Sequence, residues 1–136
     1  LYTGVTRSAS GVLAEQKSNT EKKRETLRTM RDLAFRMKQS LEAGDAIRRS
    51  GELLHEGWNL KKTLASGISA GQIDDWYDRA MAAGAFGGKI LGAGGGGFLM
   101  VLCPPDKQAR VCAELSELRP VKMKFDPFGS RIVFVG

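Results

Sequence analysis

Between Ser18 and Leu41 the apolar residues return every three or four positions. Leu27, Met30, Leu33, Ala34, Met37 and Leu41 fall on one stripe, which predicts a long amphipathic helix. Within it, Asp32 and Arg36 are spaced as an i,i+4 ion pair. Gly44-Asp45 breaks the pattern, and a second helix carries Ile47, Leu53, Leu54, Trp58 and Leu64 on one side. After Ser66-Gly67, Ser69 and Gln72 match a capping box. They open a third helix with Ile73, Trp76, Tyr77, Ala80 and Met81, fading at Gly84. A shorter helix, capped by Ser8, is predicted through Leu13 and Gln16. Beyond Gly84 the period changes. Gly88 to Leu91 and Phe98 to Leu102 read as strands on either side of a glycine loop. Pro104-Pro105-Asp106 then stops the second strand and starts a helix through Leu115 and Leu118. Val121 to Phe125 and Arg131 to Val135 predict a closing hairpin around Asp126 to Ser130. Leu1 to Arg7 reads as a short opening strand.

The order β, several helices, β, β, α, β, β predicts an α+β two-layer sandwich with an antiparallel sheet, as a single domain over residues 1–136. The 136 residues, 42% apolar and 26% charged, suffice for one buried core. The longest apolar run, Phe98 to Cys103, is too short to span a bilayer, and no signal peptide is visible. The expected setting is cytoplasmic, with no membrane partner. Leu1 is not an initiator Met and opens directly in a strand pattern, so the chain is expected to be part of a longer protein. Cys103 and Cys112, nine apart, read as reduced thiols in or near the core, and His55 as a boundary residue without the neighbours a metal site needs. No metal site is expected. The net charge of +6 is concentrated in the helical half, where 13 basic residues face 8 acidic ones up to Leu64. Arg24, Arg28, Arg31 and Lys38 are expected to form a solvated face.

Gly92-Ala93-Gly94-Gly95-Gly96-Gly97 carries the strongest chemical signal. Its spacing matches the dinucleotide fingerprint literally, but that fingerprint requires a helix after the glycines, and Phe98 to Leu102 reads as a strand. No Gly-Lys-Ser/Thr closes a Walker A loop. An RNA-recognition sheet needs exposed aromatics on its central strands, and this stretch offers one, which argues against nucleic acid. Two explanations stay open. The glycines either let backbones approach closely or turn their amides toward an anion or a neighbouring loop.

The stretch Lys89-Ile90-Leu91-Gly92-Ala93-Gly94-Gly95-Gly96-Gly97-Phe98 resembles the third motif of the GHMP small-molecule kinases, which include galactokinase, homoserine kinase and mevalonate kinase. Leu41 to Asp45 with the Leu53-Leu54 helix, Ile68 to Ile73, and Ala82 to Ala85 resemble that family's C-terminal segment. Tyr2 to Ser10 and Phe125 to Arg131 are similar to its heptose 7-phosphate kinase branch. The resemblance implies the ferredoxin-like C-terminal domain of a sugar kinase. That enzyme moves the ATP γ-phosphate to C1 of D-glycero-D-manno-heptose 7-phosphate.

What the family supplies from an N-terminal domain is not matched here: the phosphate-wrapping Pro-x-x-x-Gly-Leu-x-Ser-Ser-Ala loop, the acidic catalytic residue and the Mg²⁺ ligand. The resemblance therefore implies ATP and Mg²⁺ held mainly by that other domain, no catalytic residue in these 136 positions, and no activity from them alone. Nucleotide or substrate binding is expected from Gly92, Ala93, Gly94, Gly95, Gly96 and Gly97, with Lys89 neutralising phosphate charge. Arg7, flanked by Thr6 and Ser8, would grip the sugar phosphate, because a guanidinium fork can bind it in bidentate fashion. An exposed apolar surface is expected where the N-terminal domain docks. The rival readings are another acceptor, such as a galactose-like sugar or a mevalonate-like acid, and a non-catalytic phospholigand- or RNA-binding module.

Overall fold

The structure, a computed structural model, describes residues 1–6, 8–42, 46–69, 71–124, 129, 131 and 134. Four helices come first: α1 (Ala9–Asn19), α2 (Arg24–Glu42), α3 (Ala46–Lys62) and α4 (Gln72–Ala82). Two antiparallel strands follow, β1 (Gly87–Ile90) and β2 (Leu99–Leu102), in the register Gly87 to Leu102 and Ile90 to Leu99. A single 3-10 turn at Pro105–Lys107 leads into α5 (Gln108–Glu114). The architecture is the expected α+β one, with helices packed on an antiparallel sheet. No helix among the described residues is long and apolar enough to cross a membrane.

The core forms where the helical stripes meet the strands. Trp58 from α3, Trp76 and Tyr77 from α4, Ile90, Leu99, and Leu115 beyond α5 are all buried in one cluster. Helix α4 ends at a Schellman closure: Gly84, at φ +108, donates to Met81 O at 3.0 Å, and Ala85 donates to Ala80 O at 3.1 Å. That closure turns the chain directly into β1. Helix α3 then lies against β1 with glycine on both sides. A Cβ at Gly87 would sit 2.0 Å from Gly51 O, and one at Gly51 would sit 2.4 Å from Phe86 Cβ.

Several sequence expectations are corrected. Ser69 does not cap α4: Gly71, at φ +47, holds the N-cap position, and Ser69 Oγ donates to the Asp74 carboxylate at 2.8 Å. Ser8 occupies the N-cap of α1 without a side-chain cap bond; its Oγ meets Ser10 Oγ at 2.7 Å. Arg36 pairs across to Glu56 of α3 at 3.0 Å, while Asp32 pairs with Arg31 at 2.7 Å. Interhelical reach outcompeted the i,i+4 spacing. Arg24 and Arg28 are indeed solvent-facing, in local ion pairs with Glu21 and Glu25. The last helix stops at Glu114, and Leu118 is buried from the turn that follows. The opening strand shrinks to bridges from Tyr2 to Phe98 and to Arg119, although the chain stays beside residues 97–99 as far as Val5, past Gly4 at φ +70. Val121 to Lys124 is exposed and not a strand; the remainder of the expected hairpin falls largely outside the described residues. Cys103 is half-buried but Cys112 is exposed, and both are free thiols.

A polar joint fastens α3, α4 and β1. His55 Nδ1 lies 2.8 Å from Tyr77 Oη, and Asn59 Nδ2 lies 3.0 Å from His55 Nε2. Burial pushes the Tyr77 phenol up to about 12, against a hydrogen bond from the Gly88 backbone that lowers it. The unfolded phenol ionises near 10, the ordinary tyrosine value. Between pH 10 and 12 the unfolded chain therefore releases a proton that the fold retains, and stability falls as pH rises. The expected slope is about 1.4 kcal/mol per pH unit. Urea melts at pH 9, 10 and 11 check it: Tyr77→Phe should flatten the decline, and an unchanged slope would assign it elsewhere.

Candidate functional site

The glycine loop joins β1 to β2 and is held by two distant segments. All five glycines have positive φ: Gly92 +78°, Gly94 +109°, Gly95 +76°, Gly96 +155° and Gly97 +87°. An L side chain is disfavoured at each. Two of them also allow a close approach. A Cβ at Gly94 would sit 2.8 Å from Ile68 O, and one at Gly96 would sit 2.3 Å from Val5 O. The same segments accept hydrogen bonds, from Gly95 N–H to Ile68 O at 2.7 Å and from Gly97 N–H to Val5 O at 2.8 Å. Buried Thr3 completes the clasp, donating to Gly97 O from its backbone at 2.9 Å and from its hydroxyl at 2.8 Å.

Close backbone approach thus accounts for Gly94 and Gly96, and it consumes the amides of Gly95 and Gly97. The N–H groups of Gly92, Ala93, Gly94 and Gly96 have no hydrogen-bond acceptor among the described residues. A Cβ at Gly92 or Gly97 would meet nothing within 4 Å. One side of the loop is locked to the protein and the other is open. Successive amides left free in such a turn form a concavity suited to an anion.

Two lysines flank this open side. Lys89 sits in β1, paired with Met100, three residues before the loop. Lys61, near the end of α3, reaches across and donates to Gly92 O. Burial, and after it the charge of Lys89, holds Lys61 below the usual lysine range. Neither lysine forms an ion pair among the described residues. Exposed Thr6 follows Val5 in sequence and so stands beside the loop, whereas Ser8 belongs to the start of α1; Arg7 lies outside the described residues. Tyr2, Leu91 and Phe98 make an exposed apolar cluster bordering the loop. The Tyr2 and Phe98 rings are 5.2 Å apart, and Leu91 N–H donates to Phe98 O.

Sequence reasoning missed Lys61, Thr3 and Ile68. Lys61 is one of an adjacent lysine pair at a helix end, and only the α3–β1 crossing singles it out. Thr3 and Ile68 act through tertiary contacts that no local pattern announces. Among the described residues no cluster of His, Cys, Asp or Glu is placed to hold a metal ion.

The fold and this loop define the class. Residues 37–120 match the family model of the C-terminal domain of GHMP kinases. The chain belongs to the GHMP kinase family and carries its C-terminal domain. It is 29% identical over 109 residues to a D-glycero-alpha-D-manno-heptose 7-phosphate kinase of Campylobacter jejuni, which covers 79% of this chain and 32% of that protein. It is 33% identical over 124 residues to an L-fucokinase/L-fucose-1-P guanylyltransferase of Bacteroides fragilis, covering 88% of this chain and 13% of that protein. The crystal structure of L. major mevalonate kinase in complex with R-mevalonate superposes with a TM-score of 0.73 at 20% identity, over 86% of this chain and 36% of that one. This last likeness is one of fold. The chain spans about a third or less of the length of each of these three proteins.

Proposed function

We propose that this domain is the C-terminal part of an ATP-dependent sugar kinase whose acceptor is D-glycero-D-manno-heptose 7-phosphate. The carrying observation is the open side of the glycine loop, where four unpartnered amides sit beside two lysines free of carboxylates. Phosphoryl transfer depends on positioning and on stabilising charge over the phosphoryl oxygens. The loop is rigid because it is clasped to residues 5 and 68, and its free amides and Lys89 supply positive potential. In the reaction the C1 hydroxyl oxygen attacks the γ-phosphorus, the bond to the β-phosphate oxygen breaks, and the hydroxyl proton leaves. ADP and the 1,7-bisphosphate are the products. The proton acceptor and the ligands of Mg²⁺ belong to an N-terminal domain, which docks over the Tyr2, Leu91 and Phe98 cluster. Enzyme and sugar phosphate meet in the cytoplasm.

The heptose assignment rests on the Campylobacter relative and on the Tyr2 to Ser10 stretch, with Arg7 on the 7-phosphate. The Bacteroides relative favours a second reading, an unphosphorylated sugar such as L-fucose. A coupled ADP-release assay on the full-length protein tests both, with ATP, Mg²⁺ and either the heptose phosphate, L-fucose, galactose or mevalonate. Heptose-dependent turnover is expected, with kcat/KM about tenfold lower or worse in Lys89→Met. Turnover with another acceptor alone overturns the substrate, and turnover with none overturns the kinase reading. Residues 1–136 by themselves should release no ADP.

A further inference from the structure

On the side of α3 that faces α2, away from α4, the two helices leave an open groove of about 250 Å³. Its walls are Met30, Leu33 and Met37 from α2 and Leu53, Leu54 and Trp58 from α3. Lys61 and Lys89 also line it, joining it to the flank of the glycine loop. The charged groups of this lining are the two ammonium groups, and it holds no side-chain oxygen. Trp58 is 1% exposed, and its Nε1–H has no hydrogen-bond partner among the described residues. Apart from the weakly accepting sulfurs of Met30 and Met37, the lining offers no side-chain acceptor.

We propose that this groove is a binding site for a small amphiphilic anion, its short apolar chain lying between α2 and α3 and its anionic head meeting Lys61 and Lys89. Two features select that chemistry. Two half-buried lysines without carboxylate partners among the described residues favour an anion. Met, Leu and Trp walls have nothing to satisfy the hydroxyls of a sugar, whose burial without partners is costly. The groove lies just below the ~300–1,000 Å³ usual for drug-sized ligands, which fits a short chain rather than a long lipid. Because Lys61 also holds Gly92 O, an occupant would touch the residue that steadies the open end of the loop. The site does not depend on the kinase reading, since binding is measured without nucleotide or acceptor.

Isothermal titration of the full-length protein with octyl phosphate tests it, alongside inorganic phosphate, octanol and octyltrimethylammonium. Saturable 1:1 binding of octyl phosphate is expected, with each of the other three at least about tenfold weaker. Lys61→Met should weaken octyl phosphate about five- to tenfold. Leu54→Trp should fill the groove and abolish binding. If Leu54→Trp melts early, Ala34→Trp, at an exposed lining position of α2, serves instead. Inorganic phosphate binding as tightly as octyl phosphate would reduce the site to a bare cation pair. Octanol binding equally would make it a nonspecific apolar patch. No saturable binding, or binding untouched by the filling variants, would overturn the proposal outright.

Discussion

Gly87→Ala is expected to cost on the order of 4 kcal/mol or more, enough to deplete the folded state of a domain this size. The new Cβ would lie 2.0 Å from Gly51 O, 2.8 Å from Gly51 C and 2.9 Å from His55 Cβ. None of these is the end of a flexible side chain that could swing away. The position also has φ +156°, which alanine rarely adopts. Relief would require α3 to move off β1, and that would open the core around Trp58 and uncouple His55 from Tyr77. Thermal melts should show a drop of roughly 10 °C or more. Gly11→Ala is the matched control. It lies within α1 with no atom within 4 Å of its added Cβ, so it should be neutral or slightly stabilising. A Gly87→Ala protein melting within a degree or two of the parent would show that the α3–β1 contact yields easily.

Gly96→Ala should cost about 2–4 kcal/mol, because its Cβ would stand 2.3 Å from Val5 O and 2.9 Å from Val5 C. Gly92→Ala carries only the left-handed backbone penalty of about 1–2 kcal/mol, with no atom within 4 Å. The two variants therefore separate the roles of the loop. Gly96→Ala should lose stability first and activity with it. Gly92→Ala should stay folded at 25 °C while its turnover in the full-length protein drops out of proportion to its melting temperature. Denaturant melts beside initial rates make the comparison. Equal loss of stability in both variants would mean that the open side of the loop is packed after all.

The helices were legible because their stripes repeat at the helical period over ten or more residues, as with Leu27, Met30, Leu33 and Met37. Local hydrogen-bond chemistry was less so. Ser69 and Gln72 had the right spacing for a capping box, yet the Asp74 carboxylate outbid the backbone for the Ser69 hydroxyl. The alternating Val121 stretch looked like a strand, but pairing is a tertiary event, and residues 121–124 have no strand partner among the described residues. At the site, the need for glycine could be read from composition alone. What the glycines press against could not, since Val5 and Ile68 lie about 90 and 30 residues away in the chain. Close approach accounts for Gly94 and Gly96, while the N–H groups of Gly92, Ala93, Gly94 and Gly96 have no acceptor among the described residues.

That clasp has a consequence in time. The amides of Gly95 and Gly97 are secured by contacts at sequence separations of 27 and 92, to Ile68 and to Val5. Neither reward is available until α1 to α4 have already brought both anchors to the edge of β2. Long-range closures of this kind come late, because loop entropy is spent before the contact is gained. The glycine loop is thus expected among the last parts of the domain to be finished. Damage to it shortens the life of the native state by hastening unfolding, and it leaves the speed of folding almost as it was.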